Sequence, residues 1–170
     1  MTVACILVIL PFCLALAAFS DLFTMTIPNR ISAILLGAFI VVAPVAGLGM
    51  GEIGLHFAAA VVVFAVCFWL FAVNVMGGGD AKLLTASAIW FGFNASLATF
   101  LLYVSLFGGL LTFLVLLLRS QENTIMAAGI PVPRVLLTAK KIPYGIAIAL
   151  GGFAAYPSAP LMKAAFAQLF

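Results

Sequence analysis

From Ala81 to Leu118 the chain carries a single charged residue, Lys82. An apolar run of that length has no place in a water-soluble fold, and it is also too long for one membrane crossing. As a continuous helix it would measure about 55 Å at 1.5 Å per residue, against a hydrocarbon core of about 30 Å. The run must turn, and Gly92-Phe93-Asn94 is the one place suited to it. The rest of the chain follows the same pattern, with only seven Lys or Arg and four Asp or Glu in 170 residues. A soluble domain of this size needs several times as many charges to coat its surface. The ten-residue alternation of a membrane β-barrel is absent. The expected fold class is therefore all-α, a polytopic membrane helical bundle. It forms one domain over residues 1–170, with no separate soluble domain.

Six spans are expected. The first covers about Val3 to Ser20 and ends at Asp21. Lacking a basic segment before it, it reads as a retained helix, not a cleaved signal peptide. A polar turn follows to Arg30, with Pro28-Asn29 as breaker and cap. The second span is about Ile31–Leu48 and the third about Ile53–Met76. A short fourth and a fuller fifth lie on either side of Gly92-Phe93-Asn94. Arg119 to Lys141 is the longest polar segment. The sixth span opens near Pro143 and closes around Tyr156, leaving 161–170 as an interfacial tail. Arg30, Lys82, Arg119, Arg134, Lys140 and Lys141 all fall in the loops after odd-numbered spans; Lys163 alone falls on the other side. Basic residues in short loops stay in the cytoplasm, so both termini are expected outside, in the periplasm of a diderm bacterium.

The cysteines Cys5, Cys13 and Cys67 sit inside apolar runs without a CxxC pair and read as packing residues. No metal site is expected, and no cofactor or nucleic-acid partner. Lys140 and Lys141 read as contacts to anionic lipid or to an acidic group on a substrate. Lys82 reads as an anchor snorkelling to the interface, or as a group touching substrate or tuning Asp80. Glu52, His56 and Glu122 read as solvated or interfacial.

Chemistry rests on two acids. The topology puts Asp21 and Asp80 at the cytoplasmic ends of spans one and three, at a boundary where acids are costly to keep. Spans one and three are therefore expected to be neighbours. Two carboxyls held together cannot comfortably both ionise and share one proton. The ionised member can then take a proton from an attacking water while the protonated member polarises a peptide carbonyl. His56 is expected on the opposite face, which disfavours Ser-His or Cys-His chemistry at Ser20, Ser87 or Cys67. Gly77, Gly78 and Gly79 precede Asp80. They read either as a helix terminator or as a loop that admits a substrate backbone, free to take positive φ and form an anion-stabilising nest.

Three blocks resemble a known family. Gly77-Gly78-Gly79-Asp80 fits the GxGD signature of intramembrane aspartic proteases, and with Ala81-Lys82-Leu83 it resembles the form found in type IV prepilin peptidases. Asp21 with Ile27-Pro28-Asn29 resembles the family's other acidic block. Lys141-Ile142-Pro143-Tyr144-Gly145 resembles its late proline-aromatic-glycine block. The resemblance implies an aspartic endopeptidase that removes the leader of a prepilin at the cytoplasmic face of the inner membrane. Asp21 and Asp80 would be its catalytic pair, and its substrate a basic leader joined to an apolar helix. The small size, without a CxxC-bearing cytoplasmic insertion, resembles the CpaA/TadV-like peptidases of Flp, or tight-adherence, pilus systems. That implies no methyltransferase activity, with pilus assembly machinery as a possible partner. Two other readings stand beside it. A small proton-coupled carrier or channel would use the acids as a relay, although such sites usually lie near the bilayer midplane. A catalytically silent component of a secretion machine would carry the same acids.

Overall fold

The structure, a computed structural model, describes residues 2–121 and 141–167. Glu122, Arg134, Lys140 and residues 168–170 lie outside the described residues. The helices are α1 (Thr2–Thr24), α2 (Asn29–Val45), α3 (Met50–Ala72), α4 (Gly78–Phe91), α5 (Ala95–Ser120), α6 (Tyr144–Ala155) and α7 (Pro160–Ala167). A single 3₁₀ turn, Tyr156–Ser158, joins the last two. No strand occurs among the described residues.

The helix ends follow local chemistry, and several correct the expected boundaries. The first helix does not stop at Asp21. Leu22 and Phe23 continue its apolar character, so Asp21 lies inside α1 and the turn comes at Met25, with φ 52°. Ser20 Oγ closes that turn by donating to the Thr26 carbonyl at 2.8 Å. Pro28 then disfavours helix at Ile27 and starts α2. It takes the capping position expected of Asn29, which becomes the first helical residue. At α3 the Gly49 N–H donates to Glu52 Oε2 at 2.9 Å, drawing the helix start back to Met50. The long apolar run does turn at Gly92, which takes φ 71°. Asn94 caps α5 by accepting from the Ser96 N–H at 2.7 Å, while its amide donates to the Phe91 carbonyl at 2.9 Å.

Among the described residues, three helices are long and apolar enough to cross a membrane: α1, α3 and α5. A fourth span arises if α6 and α7, bent by 50° at their junction, count as one. The other two expected spans fall on shorter helices, α2 with 17 residues and α4 with 14. At 1.5 Å per residue these measure about 26 and about 21 Å, short of a ~30 Å core.

The short α4 occupies the middle of the bundle and packs against α2, α3, α5 and α6, whereas α6 packs between α1 and α5. Trp90 and Phe91 are fully buried. Trp90 Nε1 donates to the Leu35 carbonyl at 3.2 Å, and Phe91 stacks on Phe100 with centroids 4.4 Å apart. Glycine allows the close approach of α6: a Cβ at Gly151 would lie 2.6 Å from Val104 Cγ2, and one at Gly152 would lie 2.4 Å from Leu14 Cδ1. Small residues at such contacts let helices pack where no water drives them together. His56 is not solvated as expected. It is 3% exposed, packs beside Phe39, and its Nδ1 meets the Ile89 carbonyl at 2.6 Å. The ring fills the space beside Gly92, where a Cβ would come within 2.8 Å of it. Nor are α1 and α3 packing partners: α3 runs along α4, and α4 and α6 stand between it and α1.

Candidate active site

Asp21 projects from the last turn of α1 into the protein and is 5% exposed. It is placed at the start of α6. The first amides of a helix have no partner within it, and the helix dipole favours negative charge there. Pro143 caps α6, and the Gly145 N–H donates to Asp21 Oδ2 at 2.7 Å. Gly145 has to be glycine for this contact. A Cβ there would lie 2.9 Å from Oδ2 and 3.0 Å from both Asp21 Cβ and Ile27 Cδ1. The sequence offered one signal for this residue, its place in the proline-aromatic-glycine block, but not its role.

Asp80 reaches the same region from the opposite side. It sits in the first turn of α4, three residues after the capping Gly77, and its carboxylate folds back over that residue. A Cβ on Gly77 would be 2.6 Å from Asp80 Oδ2. One on Gly79 would be 3.3 Å from Ile27 Cβ, and one on Gly78 would be 3.3 Å from the Phe71 ring. The glycines thus begin a helix and allow α4 to close against Ile27 and Phe71. The expected positive φ is not found: among the described glycines only Gly47 and Gly92 have it. Helical geometry at Gly78 and Gly79 already brings Asp80 to the site, so no nest forms.

Asp21 and Asp80 line one cavity of about 240 Å³, together with Gly77, Gly78, Gly79 and Lys141. The helix α4 is not among those long enough to span a membrane, and in its first turn the Asp80 carboxyl is pushed up to about 7. Burial is the main cause and the Asp21 charge adds to it; the Lys141 ammonium and the Gly77 amide pull the other way. Such a carboxyl holds its proton into the neutral range, and two carboxyls facing one small space do not both ionise comfortably, so one of the pair keeps a proton while the other is free to accept one. An acid and a base can therefore face one small cavity. Lys82 is not part of it. Its Nζ donates to Asn29 Oδ1 at 2.9 Å, pinning α4 to the start of α2. Lys141, not Lys82, is the cation at the site, and it is held there through its backbone: Arg119 Nη2 donates to the Lys141 carbonyl at 2.8 Å. Among the described residues no three His, Cys, Asp or Glu side chains gather to hold a metal ion.

A second cavity, of about 630 Å³, adjoins the first and is lined by Leu70, Phe71, Val75, Met76 and Tyr144 along with shared residues. A third, of about 380 Å³, lies away from the acids beside Glu52, His56 and Asn94.

Comparison with known proteins agrees with this arrangement at the level of family. The family model described as the type IV leader peptidase family matches residues 8–118, more than half of the chain, and the match contains both acids and the glycine run. No curated protein and no solved structure matches the chain. An all-helical bundle with several apolar helices long enough to span a bilayer, matched over most of its length by one peptidase family, leads to one conclusion: this chain belongs to the type IV leader peptidase family and is a membrane protein of protease type.

Proposed function

We propose that the protein is an aspartic endopeptidase that removes the leader from prepilins of the Flp or type IV kind at the cytoplasmic face of a bacterial inner membrane. The observation that carries this reading is the meeting of Asp21 and Asp80, 59 positions apart in sequence, at one cavity. Asp21 is the base and Asp80 the acid. Asp21 takes a proton from water as the water oxygen bonds to the scissile carbonyl carbon, and Asp80 gives its proton to the carbonyl oxygen. Collapse of the tetrahedral intermediate breaks the C–N bond. The proton gained by Asp21 passes to the departing amine, and the hydroxyl proton returns to Asp80, restoring both groups. The reaction needs no cofactor and no nucleophilic side chain. The substrate is a basic leader joined to an apolar helix, presented from the bilayer, with the pilus assembly machinery receiving the product. The excess of Lys and Arg in the loops after odd-numbered spans supports a cytoplasmic position for the acids, with both termini outside. The whole of residues 1–170 works as a single membrane domain, with α2 and α4 completing a six-segment bundle.

The test is leader removal from a co-expressed Flp-type prepilin, read as a mobility shift beside the abundance of each variant. Asp21→Asn and Asp80→Asn should each abolish cleavage while the protein still accumulates, since Asn keeps the shape but cannot carry the proton. The double variant should be no worse than either single one, because groups acting as a unit fail as a unit. Parental cleavage by either variant at normal abundance would remove the two-carboxylate mechanism.

A further inference from the structure

The two cavities at the acids differ in size and character, and they share a boundary. Gly77, Gly78, Asp80, Lys141 and Ile142 line both, whereas Asp21 lines only the smaller one. The boundary therefore contains one carboxyl of the pair, set beside two glycines whose backbone both cavities reach. On one side the 240 Å³ cavity opens on Thr26 and Asn29, exposed residues of the polar turn between α1 and α2. On the other the 630 Å³ cavity is walled by the largely apolar side chains of Leu70, Phe71, Val75, Met76 and Tyr144, with Asn74 among them. Its volume falls in the range of ligand pockets, about 300–1,000 Å³, and that of the smaller cavity falls below it.

The larger cavity also continues into the bilayer-facing surface of α3. Phe64, Phe68 and Phe71 follow one another at helical spacing and are 50%, 56% and 48% exposed, and Phe64 and Phe68 have ring centroids 5.7 Å apart. Among the described helices α3 packs substantially only on α4, so its aromatic stripe is exposed among the described residues. Exposed aromatic residues on a spanning helix can simply face lipid. This stripe, however, leads to a cavity that contains Asp80.

Building on the proposed function, we propose that the two cavities set the direction of the substrate. The apolar helix on the carboxyl-terminal side of the cut lies along Phe64, Phe68 and Phe71 and enters the 630 Å³ cavity at Val75. The polar leader leaves through the 240 Å³ cavity past Thr26, and the scissile peptide crosses Gly77-Gly78 beside Asp80. Val75, in the turn after α3 and 73% exposed, is then a residue that selects the side chains following the cut. The occupant fits by character: an apolar helix in a bilayer can reach an apolar cavity that is continuous with a lipid-facing stripe, whereas a charged leader cannot.

The experiment places a photo-crosslinking benzoylphenylalanine at Val75 in one preparation and at Thr26 in another, each in the full-length protein in proteoliposomes with an Flp-type prepilin. The crosslinked prepilin residue is then mapped by mass spectrometry. Val75 should capture positions after the cut and Thr26 positions within the leader. The reverse assignment, capture of both regions from one position, or no capture from Val75 overturns the proposal. A second arm uses Val75→Trp, which fills the larger cavity from an exposed turn. KM for the parent prepilin should rise about tenfold, as a steric change in an apolar pocket does. It should recover when the apolar residues just after the cut are replaced by alanine; an unchanged KM counts against the groove. If the unmodified protein cleaves the prepilin but the crosslinks do not partition, the groove assignment fails and the protease reading stands. If it does not cleave, the protease reading fails first.

Discussion

Replacing Gly145 by alanine perturbs the candidate site by one methyl group. The added Cβ would stand 2.9 Å from Asp21 Oδ2 and 3.0 Å from Asp21 Cβ and Ile27 Cδ1. Comfortable separations are about 3.5–4.0 Å, so Asp21 must retreat by roughly half an ångström or more. In retreating it lengthens the 2.7 Å bond from the Gly145 N–H. A hydrogen bond to a charged group contributes about 1.5–3 kcal/mol, and each 1.36 kcal/mol is about tenfold in rate. A displacement of about 1 Å at a reacting group costs about 100-fold by itself. A displacement half as large, with a weakened bond, places the expected loss in kcat at about 10- to 100-fold. Stability should fall as well, by about 1–3 kcal/mol, since one of the atoms in the way is Asp21 Cβ, which moves only with the α1 backbone. Gly109→Ala is the matched control, because nothing lies within 4 Å of a Cβ at that exposed position. The assay is the initial rate of leader removal by purified protein in proteoliposomes, normalised to folded protein measured by thermal unfolding. A folded Gly145→Ala variant within about twofold of the parent would refute the assignment of Asp21, through this amide, to the reacting pair.

Lys141→Met should move the alkaline limb of the rate profile to higher pH. The ammonium pulls the Asp80 pKa down from the value that burial and Asp21 impose. Asp80 must be protonated to act, so activity falls as pH rises through about 7 in the parent and through a higher value in the variant. An unmoved limb in a pH–kcat series removes either the coupling or the role of Asp80. Gly151→Ala sets a Cβ 2.6 Å from Val104 Cγ2 and 2.7 Å from the Val104 backbone nitrogen. It should therefore lower thermal stability by about 1–3 kcal/mol while sparing the rate per folded molecule; a selective loss of rate would contradict the separation of that contact from the site. A reporter inserted between Arg119 and Lys141 should read as cytoplasmic and one near Gly51 as periplasmic; the reverse would overturn the orientation drawn from the basic loops.

The bundle and the turn at Gly92 were legible because each follows from composition and spacing within a few residues. Asp21 and Asp80 stood out as candidates for a related reason, since acids are so scarce in the chain. The ends of α1 and α3 were less legible. Leu22 and Phe23 extend one helix past its first acid, and the Glu52 carboxylate pulls the other back to Met50. These are contests between local options worth little energy each. His56 was misjudged for a related reason. A lone polar residue near a helix start reads as solvated until the partner helix places a carbonyl and a glycine beside it.

By itself the sequence determined the membrane and the helical class and marked two acids as candidates, since the cost of placing polar groups in hydrocarbon acts residue by residue and leaves its mark in the order of apolar and charged letters. Tertiary structure decided how the acids meet. It set α4 and α6 between α1 and α3, assigned Lys141 rather than Lys82 to the carboxyls, and turned Gly145 toward Asp21. Those outcomes depend on which helix faces fit one another at the distance of a missing Cβ, a relation among residues up to 124 positions apart that no local pattern records.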